Sequence, residues 1–230
     1  MAELCSSLGA TLANSDWPAM QAGIDKCHGT GMCGPDEMVK YVCQVDAVIF
    51  KKLGITIKQL ASAMAKVVEM FDEGINGDLQ FQLDKTNPLG DIIISNAFDL
   101  REWSTRFWTC HNVRVLPEVD EYKIMMVCWN GAQRCPFQQE DNKRYNGYKY
   151  GSCDYYIVSP DGKSLFFNSL LIHMMDVHNF CEGTQRRDGK TNVWRVDPEM
   201  AYECLKPIVD AMPVEGDAAL LQKYIYDDEK

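Results

Sequence analysis

No stretch of this chain approaches the roughly 18 consecutive apolar residues of a membrane-spanning helix. Met1 to Ser7 carries no basic start, and Leu8 to Leu12 is too short and broken to be the apolar part of a signal peptide. The expectation is a chain that meets no membrane and works in the cytoplasm, with the nucleus as the alternative. Common catalytic signatures are missing too. There is no GxxxxGK followed by Ser or Thr, no GxGxxG after a strand, no Gly-x-Ser-x-Gly elbow and no His-Glu-x-x-His. Those absences argue against nucleotide hydrolases, dinucleotide enzymes, serine hydrolases and the common zinc proteases.

Positive charge is scarce. Lys and Arg number 23 against 33 Asp and Glu, a net charge of −10, which opposes attraction to phosphate backbones and anionic lipid. Nucleic acid is therefore not an expected partner. Two small basic groups interrupt the pattern, Lys143, Arg144 and Lys149, then Arg186, Arg187, Lys190 and Arg195, and both read as solvated loops. Internal repeats and low-complexity linkers are absent as well.

The chain is not short of cysteine, with 10 in 230 residues. Without an export signal these are expected as reduced thiols or thiolate ligands, not disulfides. A hydrophobic fraction of 46% is enough for a core without staples. A metal would therefore organise one region and would not be needed to fold the whole chain.

Local patterns predict an α+β protein, a helical N-terminal region followed by a mostly antiparallel sheet with flanking helices. The expected regions are 1–77 (helical), 78–214 (α+β) and 215–230 (an acidic tail with an amphipathic piece, Ala218 to Tyr226). Ser15 or Asp16 caps a helix with Pro18 in its first turn, ending near Cys27. Pro35, Asp36 and Glu37 open a second helix, which Gly54 stops. Thr56 and Gln59 form a capping box for a third, whose Ile57, Leu60, Met64, Val67, Val68 and Phe71 recur at helical spacing up to Gly74. Ile92 to Ile94 reads as a strand and Phe98 to Trp108 as a helix. Strands follow at Val113 to Leu116 and Tyr122 to Trp129. Tyr155 to Val158 and Ser164 to Phe167 form a hairpin around Pro160-Asp161-Gly162. Leu170 to Asn179 is helical, and Val193 to Val196 adds a strand. Asp197 and Pro198 start a last helix that Pro207 bends or ends.

Chemistry concentrates between Cys128 and Cys181, where Cys128, Cys135, Cys153, Cys181, His173 and His178 fall together. Thiolate and imidazole are the favoured ligands of tetrahedral zinc, and His-x4-His lies within the usual gap. The expected zinc ligands are Cys135, Cys153, His173 and His178. Cys128, on an apolar strand, reads as an inert core thiol, and Cys181 as a substitute ligand. Against the zinc reading, no close Cys pair exists, and two histidines five residues apart do not share one helical face. The same residues admit thiol catalysis: Cys135 as nucleophile, His173 or His178 as base, Asp154 or Asp176 orienting it, and Gln133 donating to an oxyanion.

A second cysteine group, Cys27, His28 and Cys33 with Cys43 one helix away, is half a metal motif, and a plain helix connection explains its glycines equally well. Asp72 to Leu79 has the Asp72, Asn76, Gly77 and Asp78 of a calcium loop. Gly74 at the third position and Leu83 at the twelfth rule calcium out. Tyr145, Tyr148 and Tyr150 crowd a polar loop suited to contact with a partner. The function expected from all this is a non-enzymatic module that binds another protein, with one structural zinc ion in its C-terminal part. The alternatives are a Cys135-dependent hydrolase or transferase and a metal-free interaction protein.

Overall fold

The computed structural model describes residues 15–26, 32–74, 80–81, 110–119, 122–129, 135–137, 153–192 and 194–221. The expected strand at Ile92 to Ile94, the helix at Phe98 to Trp108, the tyrosine loop, Gln133, Cys27 and His28 lie outside these residues.

Three helices come first. In α1 (Trp17–Asp25) the Asp16 carboxylate accepts from the Ala19 N–H at 3.1 Å. The second helix, α2 (Val39–Leu53), ends on Gly54, whose φ of 74° is left-handed and so suits glycine. It starts at Val39 and not at the acidic turn expected to open it. Glu37 is otherwise engaged: its carboxylate accepts from the backbone of Gly34 (2.8 Å), Thr184 (2.8 Å) and Gln185 (3.1 Å), and from the Thr184 hydroxyl. Burial opposes ionisation of Glu37, but those hydrogen bonds outweigh it and hold the carboxyl below its usual range. α3 (Ile57–Gly74) has its capping box in place. The Thr56 N–H donates to the Gln59 side chain at 2.9 Å, and the Gln59 N–H donates to the Thr56 hydroxyl at 3.0 Å. Leu60, Ala61, Met64, Val67 and Phe71 of α3 are fully buried.

The sheet is an antiparallel meander in the order β1 (Gln80–Phe81), β2 (Cys110–Val119), β3 (Tyr122–Trp129), β4 (Cys153–Val158), β5 (Ser164–Asn168). Four successive residues of β4, Asp154 to Ile157, are buried, so both faces of this strand are covered. The β4–β5 turn closes through Gly162 (φ 82°), with Ser159 N–H donating to the Lys163 carbonyl at 2.8 Å.

β5 runs directly into α4 (Ser169–His178), with Asn168 as cap accepting from the Leu171 N–H at 2.9 Å. α5 (Pro198–Ala211) and the single turn α6 (Ala218–Leu221) complete the fold. α3 touches α4, α5, α6 and β2, and one hydrophobic core runs from Met20 in α1 to Leu221 in α6. The chain is therefore α+β, with helices before and after the sheet.

One local expectation is narrowed and one corrected. Of the two outcomes expected at Pro207, ending the helix is excluded, since α5 continues to Ala211. Pro207 and Glu203, four residues earlier, are both exposed, so the carbonyl left without its helical N–H partner lies on the solvent side of the helix, where the cost of leaving it unbonded is low. Residues 194–197 form no strand. Arg195 there is drawn inward instead, gripping the buried Asp46 of α2 with both guanidinium arms, one of them at 3.2 Å.

Candidate metal centre

Leu170 to Met175 of α4 are all buried, so its first two turns are enclosed, while Val177 near its end is exposed. Two histidines about 140° apart around a helix axis reach one site because His173 lies in the enclosed stretch and His178 at the helix end, where the Cys135 turn packs against it. His173 sits in the buried middle and His178 is the last residue. The helix stops at Asn179, which takes the left-handed conformation (φ 54°). The Phe180 N–H returns to the Met174 carbonyl at 3.1 Å, and the Asn179 N–H to Met175 at 3.2 Å. This turn buries Phe180 completely.

Cys135 approaches from another element, the short turn 135–137 beyond β3. Its Sγ lies 3.2 Å from His178 Nε2. The rings of His173 and His178 are edge to face with centroids 5.3 Å apart. Phe137 holds His178 at 4.8 Å and Phe180 at 5.3 Å, giving the site an apolar wall. One ligand atom from each of Cys135, His173 and His178 lies within 4.8 Å of the others. Ligands of a tetrahedral zinc, at about 2.3 Å for sulfur and about 2.0–2.1 Å for nitrogen, stand roughly 3.3–3.8 Å apart. A small contraction of the group reaches that geometry.

Burial, and then the neighbouring His178, lowers the His173 pKa to about 3. Burial lowers His178 to about 4. Both imidazoles are thus neutral near pH 7 and keep a lone pair for a metal. The same burial works against a thiolate–imidazolium pair, the usual activated state of a cysteine nucleophile. The groups expected to orient a catalytic histidine are placed elsewhere. Asp176 pairs with Lys58 of α3 at 3.1 Å, and Asp154 is buried in β4, between Val127 and Asn168 in the ladder.

The structure brings together Cys135, His173 and His178. Cys153 is half-buried at the start of β4, opposite Cys128 in the ladder, and its sulfur is not in the group. The Cys128 side chain lies outside the described residues. Cys181 is fully buried and its thiol contacts the Asp46 carboxylate. Burial, then the charge of Asp46, pushes its pKa well up. Cys33 and Cys43 are buried too. Burial, then Glu37 for Cys33 and Asp46 for Cys43, pushes each up to about 12. Among the described residues no second metal-ligating group forms around them.

No family model, curated protein or solved structure matches the chain. Cys135, His173 and His178 are compatible with a metal on their own geometry. Among the described residues, no helix is long and apolar enough to cross a membrane.

The second basic group of the sequence is largely absorbed within the fold. Arg195 holds Asp46, Arg187 bonds the carbonyls of Ile24 and Asp25, and Arg186 pairs with Asp188 at 3.1 Å. The sequence reading passed over Phe137 and Phe180, which wall the site. Their one sequence signal was adjacency to Cys135 and His178.

Proposed function

We propose that the chain binds one zinc ion through Cys135, His173 and His178. In this reading the ion is structural and braces a non-enzymatic module that binds another protein. The observation that carries the reading is the convergence of one sulfur and two neutral imidazoles against the Phe137–Phe180 wall. A mixed nitrogen and sulfur donor set favours zinc over the oxygen-seeking magnesium and calcium. The fourth position is taken by Cys153, brought in by a shift at the start of β4, or by water. The six cysteines with described side chains are free thiols, in keeping with a reducing compartment such as the cytoplasm. The surface best suited to a protein partner is a stripe on α2. Met38, which caps α2, and Tyr41, Val45 and Val48 are exposed at helical spacing and bordered by exposed Lys40 and Lys51. In a chain of net charge −10 that stripe fits an amphipathic helix edged with acidic residues.

Elemental analysis of the full chain, purified without added metal, tests the zinc reading. About one zinc per chain is expected, with its loss in Cys135→Ser and a lower Tm on chelation. Absence of zinc overturns it. The 3.2 Å contact between Cys135 Sγ and His178 Nε2 favours a second reading, a Cys135-dependent hydrolase or transferase. Alkylation of the metal-free protein separates the two. A catalytic thiol stays reactive well below pH 7 as its thiolate, whereas a metal ligand without an activated thiolate loses its reactivity there.

A further inference from the structure

We infer that α1 sets the metal affinity of the site from outside the ligand set, with Gly23 as the positioning residue. This rests on the zinc reading above. A Cβ placed on Gly23 would lie 2.3 Å from the carbonyl oxygen of Pro136, 3.0 Å from its carbonyl carbon and 3.5 Å from the Phe137 ring. The backbone of α1 therefore touches the peptide that immediately follows Cys135. Phe137, on the same turn, is the ring that holds His178. Any side chain at position 23 must part α1 from this turn, because a carbonyl is rigid backbone and cannot swing aside as a side chain does, and Cys135 then loses the packing that fixes it.

The other ligand-bearing segment is tied to the same helix. Arg187, nine residues beyond His178, donates from Nη2 to the carbonyls of Ile24 at 3.1 Å and Asp25 at 3.0 Å. These are carbonyls at the C-terminal end of α1, where helical partners run out. Gln21 adds a third tie, accepting from the Val39 N–H of α2 at 2.9 Å. At nine residues, α1 is too short to hold its helix in isolation, so it docks or loosens as a unit. Loosening it frees the turn that carries Cys135 and the segment that follows the histidines.

The test uses the full chain as wild type, Gly23→Ala and Arg187→Gln, with Co2+ as probe. Two quantities are read: the dissociation constant, and the near-ultraviolet thiolate-to-cobalt band that reports Cys135. Circular dichroism of the metal-free proteins checks the fold. Alanine is a better helix former than glycine, so helix propensity alone at position 23 predicts an intact or firmer α1 and unchanged binding. The expected result is the reverse. Gly23→Ala binds Co2+ roughly 10- to 100-fold more weakly, the range seen when groups supporting metal ligands are altered, with the thiolate band diminished. Arg187→Gln binds about tenfold more weakly. Wild-type affinity and band in either folded variant overturn the inference. Should Gly23→Ala fail to fold, Arg187→Gln decides. Failure of the wild type to bind Co2+ strikes the zinc reading itself and this inference with it, and so is told apart from a failure of the variants alone.

Discussion

Glu182 offers a sharp test of how the segment after α4 is held. It is buried, with a left-handed backbone (φ 67°) that is uncommon for a residue other than glycine. Its carboxylate accepts from the Asn192 side chain at 2.9 Å and from Asn168, the cap of α4. Its backbone carbonyl accepts from Arg195. Burial raises its pKa to about 7, even though Asn192, Asn168 and Arg195 favour the charged form. Because the folded value lies above the unfolded one, the folded state binds the extra proton. The associated stability is fully present below about pH 4.5 and is lost as pH rises through about 7. Linkage puts the loss on the order of 2 kcal/mol between about pH 5.5 and about pH 8. Glu182→Gln keeps the shape and removes the titration. It also turns an amide N–H2 toward one of the two asparagine donors, costing about 1–3 kcal/mol at every pH. Stability at a single pH is therefore ambiguous in sign. The readout is the difference between variant and wild type as pH changes, which cancels the constant cost. Urea unfolding of the metal-free protein at several pH values measures it, with unchanged m-values confirming comparable end states. The variant should gain on wild type by on the order of 2 kcal/mol from about pH 5.5 to about pH 8. Parallel profiles would refute the reasoning, because Glu182 would then be ionised in the folded state across the whole range.

The histidines give the opposite slope. Their folded pKa values, about 3 and about 4, lie below the ordinary 6.5. The stability they contribute to the metal-free protein is present above about pH 6.5 and falls as pH drops toward 4. His173→Leu should flatten that acid limb in urea titrations, and an unaltered limb contradicts the burial argument. Arg195→Leu leaves the Asp46 carboxylate buried without its guanidinium partner. It should cost about 3–5 kcal/mol in chemical denaturation, and a loss below about 1 kcal/mol would show that Asp46 takes up a proton at little cost.

Much of the fold was legible because its signals are local. The capping box at Thr56 and Gln59, the stop at Gly54 and the Asp197–Pro198 start depend on residues within one turn of each other. No distant contact had to be known. Where a signal had two uses, the distant one won. Glu37 had the look of a helix-opening acid but spends its carboxylate on Gly34, Thr184 and Gln185. Arg195 stood in a stretch with strand character, yet a buried acid on another helix claimed it. At Arg195 a two-residue strand end is worth less than pairing the buried Asp46, and at Glu37 four hydrogen bonds to one carboxylate outweigh a half-turn of helix.

The site shows the same division more finely. Cys135, His173 and His178 were legible as residue types, but the fourth choice, Cys153, depended on strand register. The ladder sets Cys153 opposite Cys128, and nothing in a single sequence fixes that offset, since a slip of one residue turns every side chain of a strand to the other face. The objection from helical spacing failed for a related reason. It assumed one buried and one exposed face along all of α4, whereas Leu170 to Met175 are buried all round and His178 stands at the helix end. Burial holds both imidazoles neutral near pH 7, which leaves their lone pairs for a cation. A cation bound there would draw one sulfur and two imidazole nitrogens onto a single centre. It would also join the end of β3 to α4 across 43 residues of chain, so its removal should loosen that corner of the sheet before it loosens the α3 core.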